Sequence, residues 1–148
     1  MLNRRHLRIK VLQVLYAFFQ SSDTDRSKAE KELLLSIERM YDMYLYLLLA
    51  LPELQRAAQN RQAELKKKMR PTAEDLNPNM KFVENQLLVH LSSHTGLYKL
   101  AEQRKVNWLG AESQEMFKKM YMHLLDTELY FEHMNNGVEG IEEDMAFG

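Results

Sequence analysis

Apolar residues recur along this chain at steps of three and four over long stretches, and no sustained alternation of Val, Ile or Thr with polar residues breaks the rhythm. That pattern predicts an all-α protein, a helical bundle of about five to six helices. A first helix is expected over Arg4 to Phe19, closed by the turn-forming "QSSDTD". A second is expected to start near Ser27, where the hydroxyl and Glu30 three residues later make a capping box. From there Leu33, Ile37, Met40, Tyr44, Leu47, Leu51, Leu54 and Ala58 form a heptad seam. Its members Leu33, Ile37, Tyr44, Leu47 and Leu51 are predicted to be buried, against Val11, Leu15 and Phe18 of the first helix or against a second chain. Pro52 lies inside the seam, lacks an amide hydrogen and clashes with the Leu48 carbonyl, so a kink or a fresh helix start is expected there.

The long second element should end in "KKKMRPT", because proline disfavours helix for the residue before it. Asn77 and Pro78 then suit the cap and first position of a helix through "MKFVENQLLVHL". A short helix from about Leu97 to Lys105 is expected between Gly96 and the "WLG" turn. In a last helix, "ESQEMFKKMYMHLLDTELYFEHM", Phe117, Met120, Leu124, Phe131 and Met134 fall on one stripe.

The 148 residues are enough for one sizeable core, and residues 1–134 are taken as a single helical domain. The remainder, 135–148, carries glycines and clustered acids and is taken as an acidic tail or the edge of a longer protein. The formal net charge is −1, so the sum suggests no polyanionic partner. The distribution does: residues 1–20 hold four cations and no acid, whereas Met120 to Gly148 hold seven acids and neither Lys nor Arg.

Candidate chemistry is narrow. With no cysteine there is no thiolate metal site or cysteine nucleophile, which fits a reducing, cytoplasmic setting. The basic head before "VLQVLYAFF" resembles an export signal, but Gln13 and Tyr16 interrupt the run and no small-x-small cleavage site follows. "MYLYLLLAL" has nine residues, about half of the ~20 that span a bilayer, so no membrane partner is expected. No glycine-rich phosphate loop, nucleophile motif or cofactor fingerprint is present, and neither an enzyme nor a bound cofactor is expected. His90 and His94 have a metal-binding helical spacing, but without a glutamate or third ligand beside them no metal site is assigned. The basic run from Arg56 to Arg70 reads as a solvated helix end, and the methionines as adaptable core filler.

The opening "MLNRRHLRIKVLQVLYAFFQ" is the exception. At about 100° per residue, Arg4, Arg8, Val11, Leu15 and Phe18 lie within about 80° of each other, so the basic head and an apolar stripe share a side. Cations at a helix start oppose the macrodipole, at about 0.3–1 kcal/mol each, and so are not explained by helix stability. Free amides and guanidinium forks do make an anion site, with phosphate the obvious anion. This stretch, through Arg4, Arg5, Arg8, Gln13, Leu15 and Tyr16, resembles the amino-terminal helix of the bacterial transcription antitermination factor NusB family. Its pattern is paired arginines, another arginine three residues on, and an apolar helix ending in Gln-x-Leu-Tyr. The resemblance covers about residues 4 to 20; Ile9 stands where the family usually has an acid, and the family's later Phe-Val-Asn-Gly signature is not found.

The resemblance implies an all-helical bundle that binds single-stranded boxA-type RNA together with a small-subunit ribosomal protein, and an amino-terminal part of a long family variant. It makes Arg4, Arg5 and Arg8 phosphate or base contacts and Tyr16 a helix-surface contact. His6, Lys10 and Gln13 join them on chemistry, because unstacked bases lie on guanidinium or aromatic planes while cations take the phosphates. An alternative from a different class is a helical protein–protein interaction scaffold, a homodimer through the heptad from Leu33 to Ala58, without RNA binding. A third is an RNA-binding accessory domain of an RNA-modifying enzyme, because NusB-like modules also occur fused to methyltransferases.

Overall fold

The computed structural model describes residues 3–21, 25–137 and 140–147. Among the described residues there are eight helices and no strand. They are α1 (Arg4–Gln20), α2 (Arg26–Lys66), α3 (Ala73–Leu76), α4 (Gln86–Ser93), α5 (Thr95–Arg104), α6 (Ala111–Leu125), α7 (Glu128–Asn135) and α8 (Ile141–Phe147). The chain divides into two compact units, Met1–Tyr44 and Leu45–Gly148.

The first unit holds α1 and the start of α2. Asn3, in extended backbone, caps α1 by accepting the Arg5 amide at 3.3 Å, and the Ser21 amide closes the helix on Ala17 O at 3.0 Å. At the start of α2 the capping oxygen belongs to Asp25, not to Ser27: Asp25 Oδ1 accepts the amides of Ser27 at 2.9 Å and Lys28 at 3.3 Å. A carboxylate placed there also meets the positive end of the helix dipole, which a hydroxyl cannot match.

The second unit holds the core. One cluster sets Leu45 and Leu49 against Leu97, Ala101 and Val106, roofed by Trp108, whose indole donates to Tyr46 O at 2.9 Å. The other joins Ala58, Phe82, Val83, Leu88 and Tyr121. Buried Gln55 donates to Val83 O at 2.7 Å, so its side-chain amide has a partner inside the core.

Several sequence expectations change here. Of the seam, Leu33, Ile37 and Leu51 are half-buried, while Tyr44 and Leu47 are exposed. The residues α2 buries are Leu45, Leu49, Pro52, Gln55 and Ala58. "MYLYLLLAL" offers apolar side chains all round the helix, so periodicity alone does not choose the face; the packing of Leu97 and Ala101 does. Helix α2 also runs unbroken through Pro52 and does not restart there.

No helix begins at Asn77. Instead Thr72 and Asp75 form a capping box around the single turn α3, which Asn77 closes. Residues 81–84 form a turn that inserts Phe82 and Val83 into the core, and α4 begins only at Gln86. Asn85, 1% exposed, caps it by accepting the Leu88 amide at 3.1 Å. His94 ends α4 and caps α5 with Nδ1 on the Leu97 amide at 3.0 Å, which occupies that ring nitrogen.

The expected last helix is two, broken at Asp126 and restarted by Thr127, whose hydroxyl accepts the Tyr130 amide. Phe117 is buried and Leu124 and Met134 half-buried, but Met120 and Phe131 of the expected stripe are exposed. The acidic end also packs. In α8, Asp144 is buried, its carboxylate accepting the Gln86 amide at 2.8 Å at the start of α4, and Phe147 stacks on His133 with centroids 4.0 Å apart. These extra breaks and the folded end account for eight helices where periodicity suggested five to six.

No helix among the described residues is long and apolar enough to cross a membrane.

Candidate nucleic-acid interface

Helix α1 carries every residue that the sequence assigns to a site. The Asn3 cap fixes where the helix starts, so Arg4, Arg5 and His6 occupy its first turn, in which there is no acid. By helix geometry the first amides have no carbonyl four residues back; Arg5's is taken by the Asn3 side chain, and Leu7 is the first to reach a backbone acceptor, Asn3 O at 3.2 Å. Negative charge is therefore favoured just where three arginines project.

Arg4, Arg5, His6 and Arg8 are exposed, and Lys10 is half-buried. Among the described residues no carboxylate makes an ion pair with Arg4, Arg5, Arg8 or Lys10. The cations further along the chain are handled differently: Arg56 pairs with Glu53 at 3.1 Å and Lys68 with Asp75 at 3.5 Å. Two cations of that later basic run are thus paired, whereas none of the four at the head of α1 has a carboxylate partner among the described residues.

The helix does not gather its seven candidate residues on one stripe. Arg4 and Arg8 share a side with Val11 and Leu15. Arg5 and Tyr16 lie about 100° and 120° round from Arg4, and Gln13, His6 and Lys10 at about 180–240°. The arrangement is a cationic collar on the first turns, with Tyr16 about 16 Å further along on the Arg5 side. Gln13 is exposed and Tyr16 is 68% exposed, so both are open to a ligand.

One feature of this surface escapes a residue-type search. Leu12 is 69% and Phe19 79% exposed, on the same side as Arg5 and Tyr16. The signal was present in "VLQVLYAFF", which has more apolar residues than one helix face can hold.

Among the described residues no group of three or more His, Asp or Glu side chains is arranged to hold a metal ion. The His90 and His94 rings lie 5.7 Å apart and edge to face, with the second engaged as a cap. Compared with family models, curated proteins and solved structures, the chain matches none.

Proposed function

We propose that this chain binds single-stranded RNA through the start of α1 and acts in transcription antitermination in the manner of the NusB family, in the cytoplasm. It holds a boxA-type element with a small-subunit ribosomal protein as its protein partner. The observation that supports this reading is the set of four cations on the first two turns of α1, with no carboxylate partner among the described residues, beside helix-start amides that favour an anion. Phosphates would meet Arg4, Arg5, Arg8 and Lys10; a base would stack on a guanidinium plane or on Tyr16; His6 and Gln13 would hydrogen-bond to base edges. No covalent step is involved.

The test replaces Arg4, Arg5 and Arg8 together by alanine and titrates single-stranded RNA into both proteins while thermal melting is followed in parallel. The deleted groups are exposed and sit where positive charge is unfavourable, and alanine is the best helix former, so melting should not fall. RNA affinity should fall by tenfold or more at low salt, about what three lost phosphate contacts imply. Equal affinity for both proteins would remove the arginine head as the binding site.

The interaction-scaffold reading has its own observation, the exposed apolar side chains of α1 and of the first part of α2. That reading is one without RNA binding, so under it the wild type and the triple-alanine chain titrate alike with RNA.

A further inference from the structure

His133 of α7 is buried, and neither nitrogen of its ring has a hydrogen-bond partner. Buried polar groups ordinarily find one, because leaving them dry and unpaired is costly. The face of the ring is covered by Phe147 of α8, with centroids 4.0 Å apart and planes 13° from parallel. Phe147 also meets the rings of Phe82 and Tyr130, at 6.0 and 6.4 Å, and so closes an aromatic pocket built by the turn before α4 and by α7. The polar ties of α8 lie beside it. The Asp144 carboxylate accepts the Gln86 amide at 2.8 Å, the Asp144 carbonyl accepts from Asn85 Nδ2 at 3.3 Å, and the Glu143 carboxylate accepts from the Asn136 side chain. A seven-residue helix is not stable alone, so α8 is helical only while it is docked. Segments held in this way open locally, at less cost than unfolding the whole domain.

We infer that α8 is an acid-released latch: a proton on His133 drives Phe147 off the imidazole and frees the helix, while the helices beneath it stay folded. A neutral imidazole suits the dry stack. An imidazolium does not, because both of its N–H groups would then be donors with no acceptor. The charged groups acting on the ring divide. Lys81, in the turn before α4, repels a second positive charge; Asp144 and Glu143 of α8 attract it, but both carboxylates are already engaged, with the Gln86 amide and with Asn136. Tyr130, whose hydroxyl lies 3.3 Å from that of Tyr121, is uncharged near neutrality, its pKa pushed up by burial. Burial of the imidazole outweighs the two acids and holds its pKa below the ordinary range. With α8 released, the ring meets water and both N–H groups are hydrated, so the open form takes up the proton more readily. The latch is therefore closed above a pH of about 6.5 and opens progressively below it. Release bares the pocket of Phe82, Tyr130 and His133 and frees the Gln86 amide that Asp144 holds.

The test is amide hydrogen exchange of the whole chain, followed by NMR near pH 7.5 and pH 5.5, with each rate divided by its intrinsic value at that pH. Protection of the Met145, Ala146 and Phe147 amides should fall severalfold on acidification. The ceiling is about tenfold, set by one proton taken up only by the open form at an ordinary pKa of about 6.5. The amides of Phe117 and Tyr121 in α6 should be more strongly protected at both pH values, because they exchange only when the domain unfolds. His133→Phe keeps a ring against Phe147 and should abolish the step in α8. Asp144→Asn should lower the protection of α8 at both pH values and leave the step in place. If His133→Phe does not fold, the wild-type chain decides: the His133 ring signals and the α8 amide shifts should titrate with one midpoint. Separate midpoints would overturn the inference. So would unchanged protection in α8, protection there equal to that of α6, or a step lost in Asp144→Asn and kept in His133→Phe, which would make the carboxylate the switch.

Discussion

Phe82 is the centre of the second core cluster, and its truncation is the most informative perturbation of the fold. The side chain is 2% exposed, and its ring lies 5.6 Å from Tyr121, 5.7 Å from Tyr130 and 6.0 Å from Phe147, centroid to centroid. It enters from the turn before α4 and touches α6, α7 and α8, so no one element can move in to fill the space. Phe82→Ala should therefore cost toward the upper end of the ~3–5 kcal/mol typical of buried Phe truncation. A domain of about a hundred residues has only about 5–15 kcal/mol in all. With a urea slope of about 2 kcal/mol per M, the midpoint should drop by about 2 M. The single Trp reports this directly: Trp108 sits in the other cluster, 5.1 Å from Tyr46 and 5.3 Å from Phe117, and its fluorescence changes when that cluster opens. Phe131→Ala, at a residue 68% exposed, is the control and should move the midpoint by less than about 0.3 M. A Phe82→Ala midpoint within that same margin, or a Phe131→Ala shift as large as the one expected for Phe82, would refute the assignment of the core.

His133 should make the fold acid-sensitive. It is 3% exposed with neither ring nitrogen hydrogen-bonded; burial first and the charge of Lys81 second hold its pKa below the ordinary imidazole range, against the opposing pull of Asp144 and Glu143. The unfolded chain therefore takes up this proton more readily, so stability is complete above a pH of about 6.5 and declines below it; His133→Phe, which keeps a ring against Phe147, should flatten that decline in urea melts between pH 7 and 5. Asp144→Ala removes a buried carboxylate from the Gln86 amide and should cost about 1.5–3 kcal/mol; no change in the urea midpoint would mean that α8 contributes nothing to the fold.

What the sequence made legible follows from which signals are local. The extent of α1 was readable to within a residue, because its apolar run is closed by a polar, turn-forming stretch. The all-helical class was readable because apolar spacing is a property of each segment by itself. The buried face of α2 was not, since its central run is apolar in every direction and only Leu97 and Ala101, some fifty residues on, choose Leu45 and Leu49. The turn at residues 81–84 was hidden for the same reason: "KFVENQLL" has helical composition, but Phe82 and Val83 are drawn into a cluster with Tyr121. The packing of α8 was concealed by its charges. Four acids in the last ten residues read as a solvated end, whereas one of them, Asp144, accepts the Gln86 amide at the start of α4, beside the Asn85 cap on Leu88. In the candidate site, residue types and spacing located the cations, but that no carboxylate among the described residues pairs with them is a property of the folded chain.

The central claim is that the start of α1 binds the phosphates of a single strand, and the salt dependence of RNA affinity tests it most directly. With Arg4, Arg5, Arg8 and Lys10 each neutralising one phosphate, log affinity against log salt should have a slope of about −2.8, a loss of roughly fifty-fold between 50 and 200 mM. In the Arg4→Ala, Arg5→Ala, Arg8→Ala chain only Lys10 remains, and the slope should shrink to about −0.7. A wild-type slope near zero, or one as steep in the triple variant as in the wild type, would contradict the account.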